Sequence, residues 1–92
     1  MTEPPLTWLD ERGRRCPQPI IALARAAAAS PGGTVLRLLS DDPAAQYDVP
    51  AWCRMKGMRL LATMAAPDGA GGTAFVVEIP SGQGLMPGAA QA

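Results

Sequence analysis

The residues best suited to covalent chemistry lie in "GRRCPQP", residues 13–19. Cys16 stands directly after Arg14 and Arg15 and directly before Pro17, with Pro19 two residues further on. A thiolate is a nucleophile where a thiol is not, and nearby cations or a helix N-terminus make the thiolate available. Good helix formers follow from Ile20 onward, so the spacing predicts Cys16 at the N-cap of a helix, with Pro17 as its first residue and Pro19 as its third. Neither proline offends there, because first-turn amides have no intrahelical acceptor. The prolines stiffen the start of the helix and remove two backbone donors. The Gln18 amide is left as the first-turn donor best placed for the sulfur. The helix dipole favours negative charge at this end by about 0.3–1 kcal/mol, and Arg14 and Arg15 add to it. The expectation is an exposed, readily ionised sulfur that can be presented to another protein. The competing reading is a small apolar residue beside a helix cap with the arginines in a solvated turn. Polar neighbours on three sides weigh against it.

Little else in the chain supports covalent or metal chemistry. There is no histidine, which removes Cys–His and Ser–His nucleophile pairs and His-ligated metal sites. Cys53 is the second of only two cysteines, and two thiols alone make a weak zinc site. No metal and no cofactor are therefore expected. Val49, Trp52 and Cys53 share one helical stripe, so Cys53 reads as a core residue. The two cysteines are not in a CxxC arrangement, which disfavours a thiol–disulfide oxidoreductase. In a reducing compartment they are poor candidates for a structural disulfide. Eight basic and eight acidic side chains cancel, which argues against a dedicated binder of nucleic acid or of a membrane surface. No apolar run approaches the length that spans a bilayer. No basic stretch followed by an apolar one opens the chain, so the expected location is cytoplasmic.

These residues must be positioned by a single domain, which is what 92 residues most often make. Residues 1–5 and 81–92, rich in proline, glycine and small residues, are expected to be flexible tails around a domain at 6–80. "LTWLD" reads as a strand over 6–10. A helix follows over about 17–29, with Ile20, Leu23, Ala24 and Ala27 as its buried stripe, and "SPGG" stops it. "TVLRLLS", 34–40, is a second strand, with Leu36 and Leu38 on one face. Asp42 suits an N-cap and Pro43 a first helical residue. Pro50 predicts an interruption, giving a short turn over 44–47 and a separate helix over about 49–56, capped by Gly57. Strands over 58–65 and 73–79 should pair as a hairpin across "PDGAGG". The order β-α-β-α-β-β predicts an α/β (α+β) two-layer sandwich: a mixed four-stranded sheet with two helices on one face.

The stretch "LDERGRRCPQP" followed by "DDPAAQYDVPAWCRMKGMRLL" resembles the TusA/SirA-like family of small sulfur-carrier proteins, from about Trp8 to Ile79. The resemblance implies the same β-α-β-α-β-β sandwich. It implies that Cys16 carries a persulfide, accepted from a protein donor such as a cysteine desulfurase or rhodanese and relayed to a protein acceptor. Such relays lead to tRNA thiolation, molybdenum-cofactor synthesis or sulfur oxidation. Cys16, Pro17 and Pro19 match the first motif; Asp41, Asp42, Pro43, Asp48, Pro50, Trp52 and Cys53 match the second. Met58 stands where family members often have histidine, and Arg54, Lys56 and Arg59 make a thin basic docking surface. On this reading Cys16 is the nucleophile, Pro17 and Pro19 position it, and Arg14 and Arg15 favour its anion. Replacing Pro19 by alanine is expected to change stability by less than about 1 kcal/mol. The alternative is a regulatory or redox-sensing interaction module on the same fold.

Overall fold

In the computed structural model, which describes residues 6–81, six elements form in the expected order. They are β1 (Leu6–Asp10), α1 (Gln18–Ala28), β2 (Val35–Ser40), α2 (Ala45–Lys56), β3 (Arg59–Ala65) and β4 (Thr73–Glu78). Apart from Ser81, the expected tails lie outside the described residues. The strands make one mixed sheet in the order β1-β2-β4-β3. β1 and β2 are parallel, while β4 runs antiparallel to both β2 and β3.

One face of the sheet carries the main core, while a smaller buried cluster of Leu39, Ala66 and Ala74 lies apart from it, so that β4 is buried on both sides from Ala74 to Val77. Leu9, Leu38 and Phe75 are register partners across β1, β2 and β4. Leu36, Leu38, Phe75 and Val77 are fully buried. They form one core with Leu23 and Ala27 of α1 and with Ala45, Val49, Trp52 and Cys53 of α2. Both helices therefore cover the same face, as expected for a two-layer sandwich. Trp8, Arg37 and Val76 are register partners on the other face. There the Arg37 guanidinium lies 5.3 Å from the Trp8 ring centroid. This cation–π contact partly compensates an Arg37 Nε that is buried without a hydrogen-bond partner.

The second helical region differs from the expectation. α2 runs unbroken through Pro50. An interior proline costs about 3 kcal/mol through a lost hydrogen bond and a clash one turn back. Here the orphaned carbonyl is that of Gln46, near the start of the helix, where the loss is smallest. Ala45 and Val49 before the proline, and Trp52 and Cys53 after it, all bury into the core. Burying large apolar side chains contributes about 1.5–3 kcal/mol each, so packing on both sides of Pro50 outweighs the interruption. Gly57 ends α2 with φ +75°, in the left-handed region, as the C-cap expectation required. Asp42, by contrast, does not cap the helix. Its Oδ1 accepts the Ala44 amide at 3.0 Å, which caps a turn at residues 43–44 just ahead of α2.

Candidate functional site

The site is built where the loop after β1 meets the loop before α2. Arg12 fixes the first loop at its base. Its Nε and Nη2 donate to Asp10 at 2.9 Å each, and Nη1 and Nη2 donate to Asp68 at 3.0 and 2.8 Å. A further bond reaches the Gly71 carbonyl. One guanidinium thus fastens the end of β1 to the β3–β4 turn, using the bidentate geometry that arginine provides. It holds the Asp68 carboxyl down at about 2, helped by the Ala70 amide. Gly13 follows with φ +88°, a conformation that favours glycine. The Gly13 amide donates to Asp41 Oδ1 at 2.9 Å.

Three residues later the chain reaches Cys16, which is exposed. Its backbone N–H donates to Asp42 Oδ2 at 2.6 Å, and its Sγ donates to Asp48 Oδ2 at 3.0 Å. The Cys16–Pro17 peptide bond is cis. Three carboxylates from across the fold therefore grip this loop: Asp41 by the Gly13 amide, Asp42 by the Cys16 amide and Asp48 by the Cys16 sulfur. Hydrogen bonds from the Ala44 and Cys16 amides, with the Arg15 charge nearby, hold the Asp42 carboxyl below its usual range.

This geometry corrects the electrostatic expectation. Pro17, not Cys16, is the residue that precedes α1, and no side chain caps the helix. The Gln18 amide is not free for the sulfur; it donates to the Arg15 carbonyl at 2.8 Å. Arg14 is paired with Glu11 at 3.7 Å. The hydrogen bond to Asp48 pushes the Cys16 thiol above its usual range, and partial desolvation and the charges of Asp48 and Asp42 push in the same direction. A carboxylate that accepts a hydrogen bond from the neutral thiol favours that neutral form. Arg14 and Arg15 stand next to the cysteine in sequence, but the charges that dominate at the sulfur are acidic.

Pro19 also has a second role. It is fully buried and lines a small hollow with Cys16, Ile20, Asp42, Ala45 and Asp48. Truncation to alanine removes two buried methylene groups at about 0.8 kcal/mol each and the restraint on the unfolded chain, worth about 0.4–1 kcal/mol. Pro19→Ala should therefore destabilise by about 2 kcal/mol in chemical denaturation, rather than the smaller change expected from the sequence. A midpoint within error of wild type would contradict this.

On its outer side Cys16 opens into a shallow trench of about 330 Å³ between the helices, lined by Pro17, Ile20, Asp48, Ala51, Trp52 and Met55. Met55 is 73% exposed at its rim. A larger hollow of about 470 Å³ lies against the opposite sheet face, by Trp8, Leu39 and Pro67, and Cys16 takes no part in it. Cys53 is buried in the core, and burial pushes its thiol up. Cys53→Ser should destabilise the protein by about 1–3 kcal/mol, because a hydroxyl would be buried without an assured partner; unchanged thermal unfolding would show that the position is open to water. Met58 packs against the core rather than standing free. Arg59 is paired with Glu78 at 3.3 Å, which leaves Arg54 and Lys56 as the exposed basic residues at the end of α2.

Two contacts of the candidate site were not legible in the residues around the cysteine. Asp48 had a signal: it lies one turn from both Ala45 and Trp52, on the inward side of α2, where a carboxylate needs a partner. Arg12 had none beyond being one arginine among three. A family model described as Sulfurtransferase TusA matches residues 8–79 of the chain.

Proposed function

The chain belongs to the sulfurtransferase TusA family, a family of sulfur carriers, and from that premise we propose that Cys16 is the carrier atom, holding sulfane sulfur as a persulfide. The thiolate of Cys16 attacks the terminal sulfur of a donor persulfide. A sulfur–sulfur bond forms at Cys16 as the donor's breaks. The donor sulfur leaves with the electron pair and takes up the proton that Cys16 released, so the exchange involves no net oxidation. An acceptor thiol then repeats the step on loaded Cys16. The donor is a cysteine desulfurase or a rhodanese, and the acceptor is a protein of tRNA thiolation, molybdenum-cofactor synthesis or sulfur oxidation. The work is cytoplasmic, where the carrier thiol stays reduced; no helix of the described residues is long and apolar enough to cross a membrane.

The observation that carries this reading is the contrast between the two sulfurs. Cys16 is exposed at an open trench while Cys53 is buried. Pro17 and Pro19 flank the sulfur as wall residues. A redox-sensing module fits less well, because a sensor cysteine is often poised next to a resolving cysteine and the second cysteine, Cys53, is buried in the core. The test is incubation with a cysteine desulfurase and cysteine, and in parallel with a rhodanese and thiosulfate, followed by intact mass. A gain of one sulfur atom, removed by reductant, is expected. No gain with either donor would favour the interaction-module reading.

A further inference from the structure

We propose that the Asp48 carboxylate guards the Cys16 sulfur, accepting a hydrogen bond from the thiol that the free protein keeps and that reaction at the sulfur must break. The inference deepens the carrier reading by assigning a role to a residue on the reacting atom. The Cys16 Sγ to Asp48 Oδ2 distance is 3.0 Å. That is short for a bond donated by sulfur.

The groups facing the sulfur divide cleanly by element. From the loop before α2 comes Asp42, whose carboxylate is occupied by the Cys16 and Ala44 amides. From α1 come Pro19 and Ile20, and from α2 Ala51, Trp52 and Met55, none of them charged. On the cysteine's own loop Arg14 is paired with Glu11, and Arg15 acts on Asp42. Asp48 is thus the one carboxylate hydrogen-bonded to Sγ among the described residues, where no cation forms an ion pair with it. Cys16 is held as the hydrogen-bonded thiol, the form that is not the nucleophile. An exposed carrier sulfur that was freely ionised would react with any electrophile or oxidant. Asp48 suppresses this in the free protein. A docked partner that displaces the carboxylate, or sets a cation against it, frees the sulfur at the moment of transfer.

The test is the pH profile of iodoacetamide alkylation at Cys16, read by peptide mapping, for the wild type, Asp48→Asn and Asp48→Glu. Removing the charge while keeping the shape should raise the rate at pH 7 by about three- to tenfold and move the profile to lower pH, which is the sense required when a like charge leaves an acid. Asp48→Glu, which keeps the carboxylate, should stay close to wild type. A merely structural role would instead expose Cys53 to alkylation in both variants. If Asp48→Asn does not fold, a peptide of residues 12–20 serves as the reference, and the folded wild type should alkylate more slowly than the peptide at pH 7. An unchanged or slower Asp48→Asn, or a wild type as reactive as the peptide, overturns the proposal. The alkylation profile reads Asp48 whether or not Cys16 accepts sulfur, so failure of sulfur loading in the wild type would count against the carrier reading and leave this result standing.

Discussion

Cys16→Ser should abolish sulfur loading completely while leaving the melting temperature within about 3 °C of wild type. Loss should be complete because a serine hydroxyl has no route to a persulfide, and the remaining thiol, Cys53, is buried in the core. The small effect on stability follows from the contacts. The bond to Asp42 comes from the backbone N–H of residue 16 and survives the substitution. A serine hydroxyl can donate to Asp48 in place of the thiol, and substitution at an exposed position seldom shifts stability much. Intact mass after incubation with a desulfurase and cysteine reads the first outcome, and thermal unfolding reads the second. A sulfur adduct that persists in Cys16→Ser and maps to Cys53 would overturn the site assignment. Complete loss of loading accompanied by a collapse in melting temperature would show that the thiol is a structural element of the loop.

The sequence and the structure agree wherever a neighbour in the chain is also a neighbour in space. The alternation of Leu36 and Leu38 with Arg37, the stripe of Leu23 and Ala27, and the hairpin across "PDGAGG" all rest on local spacing, and all are found. The exposure of Cys16 and the burial of Cys53 were likewise readable from their immediate surroundings. Pro50 broke the pattern because its local penalty was weighed alone, while the burial that overrides it comes from a core shared with residues far away in the chain. The charge environment of Cys16 was misjudged for the same reason. Arg14 and Arg15 are adjacent in the chain, but the side chain on the sulfur comes from 32 positions away, and the carboxylate on its amide from 26. The resemblance to a sulfur-carrier family had already set Asp42 and Asp48 beside Cys16 as members of one pattern. It did not say that they point at it.

Those distant contacts exist only while α2 is seated on the sheet, so a cavity beneath the helices should be the most damaging single change. Leu38→Ala should destabilise by about 2–5 kcal/mol. Leu38 is fully buried at the centre of the sheet, register-paired with Leu9 on one side and Phe75 on the other. It belongs to the same core cluster as Val49 and Trp52 of α2, one and four residues after Asp48 along that helix. In a domain of this size the loss corresponds to a fall in melting temperature of about 10–30 °C, a large share of the total stability that such domains have. Leu61→Ala is the matched control. Leu61 is 51% exposed at the irregularity in β3 between Leu60 and Ala62, and its truncation should cost no more than about 0.5 kcal/mol. Cys53 supplies an internal reporter: in Leu38→Ala it should become open to alkylation at temperatures where the wild type still protects it. A Leu38→Ala melting temperature within about 3 °C of wild type would mean that this face of β2 is not where the helices pack, and the geometry that brings Asp48 to Cys16 would lose its foundation.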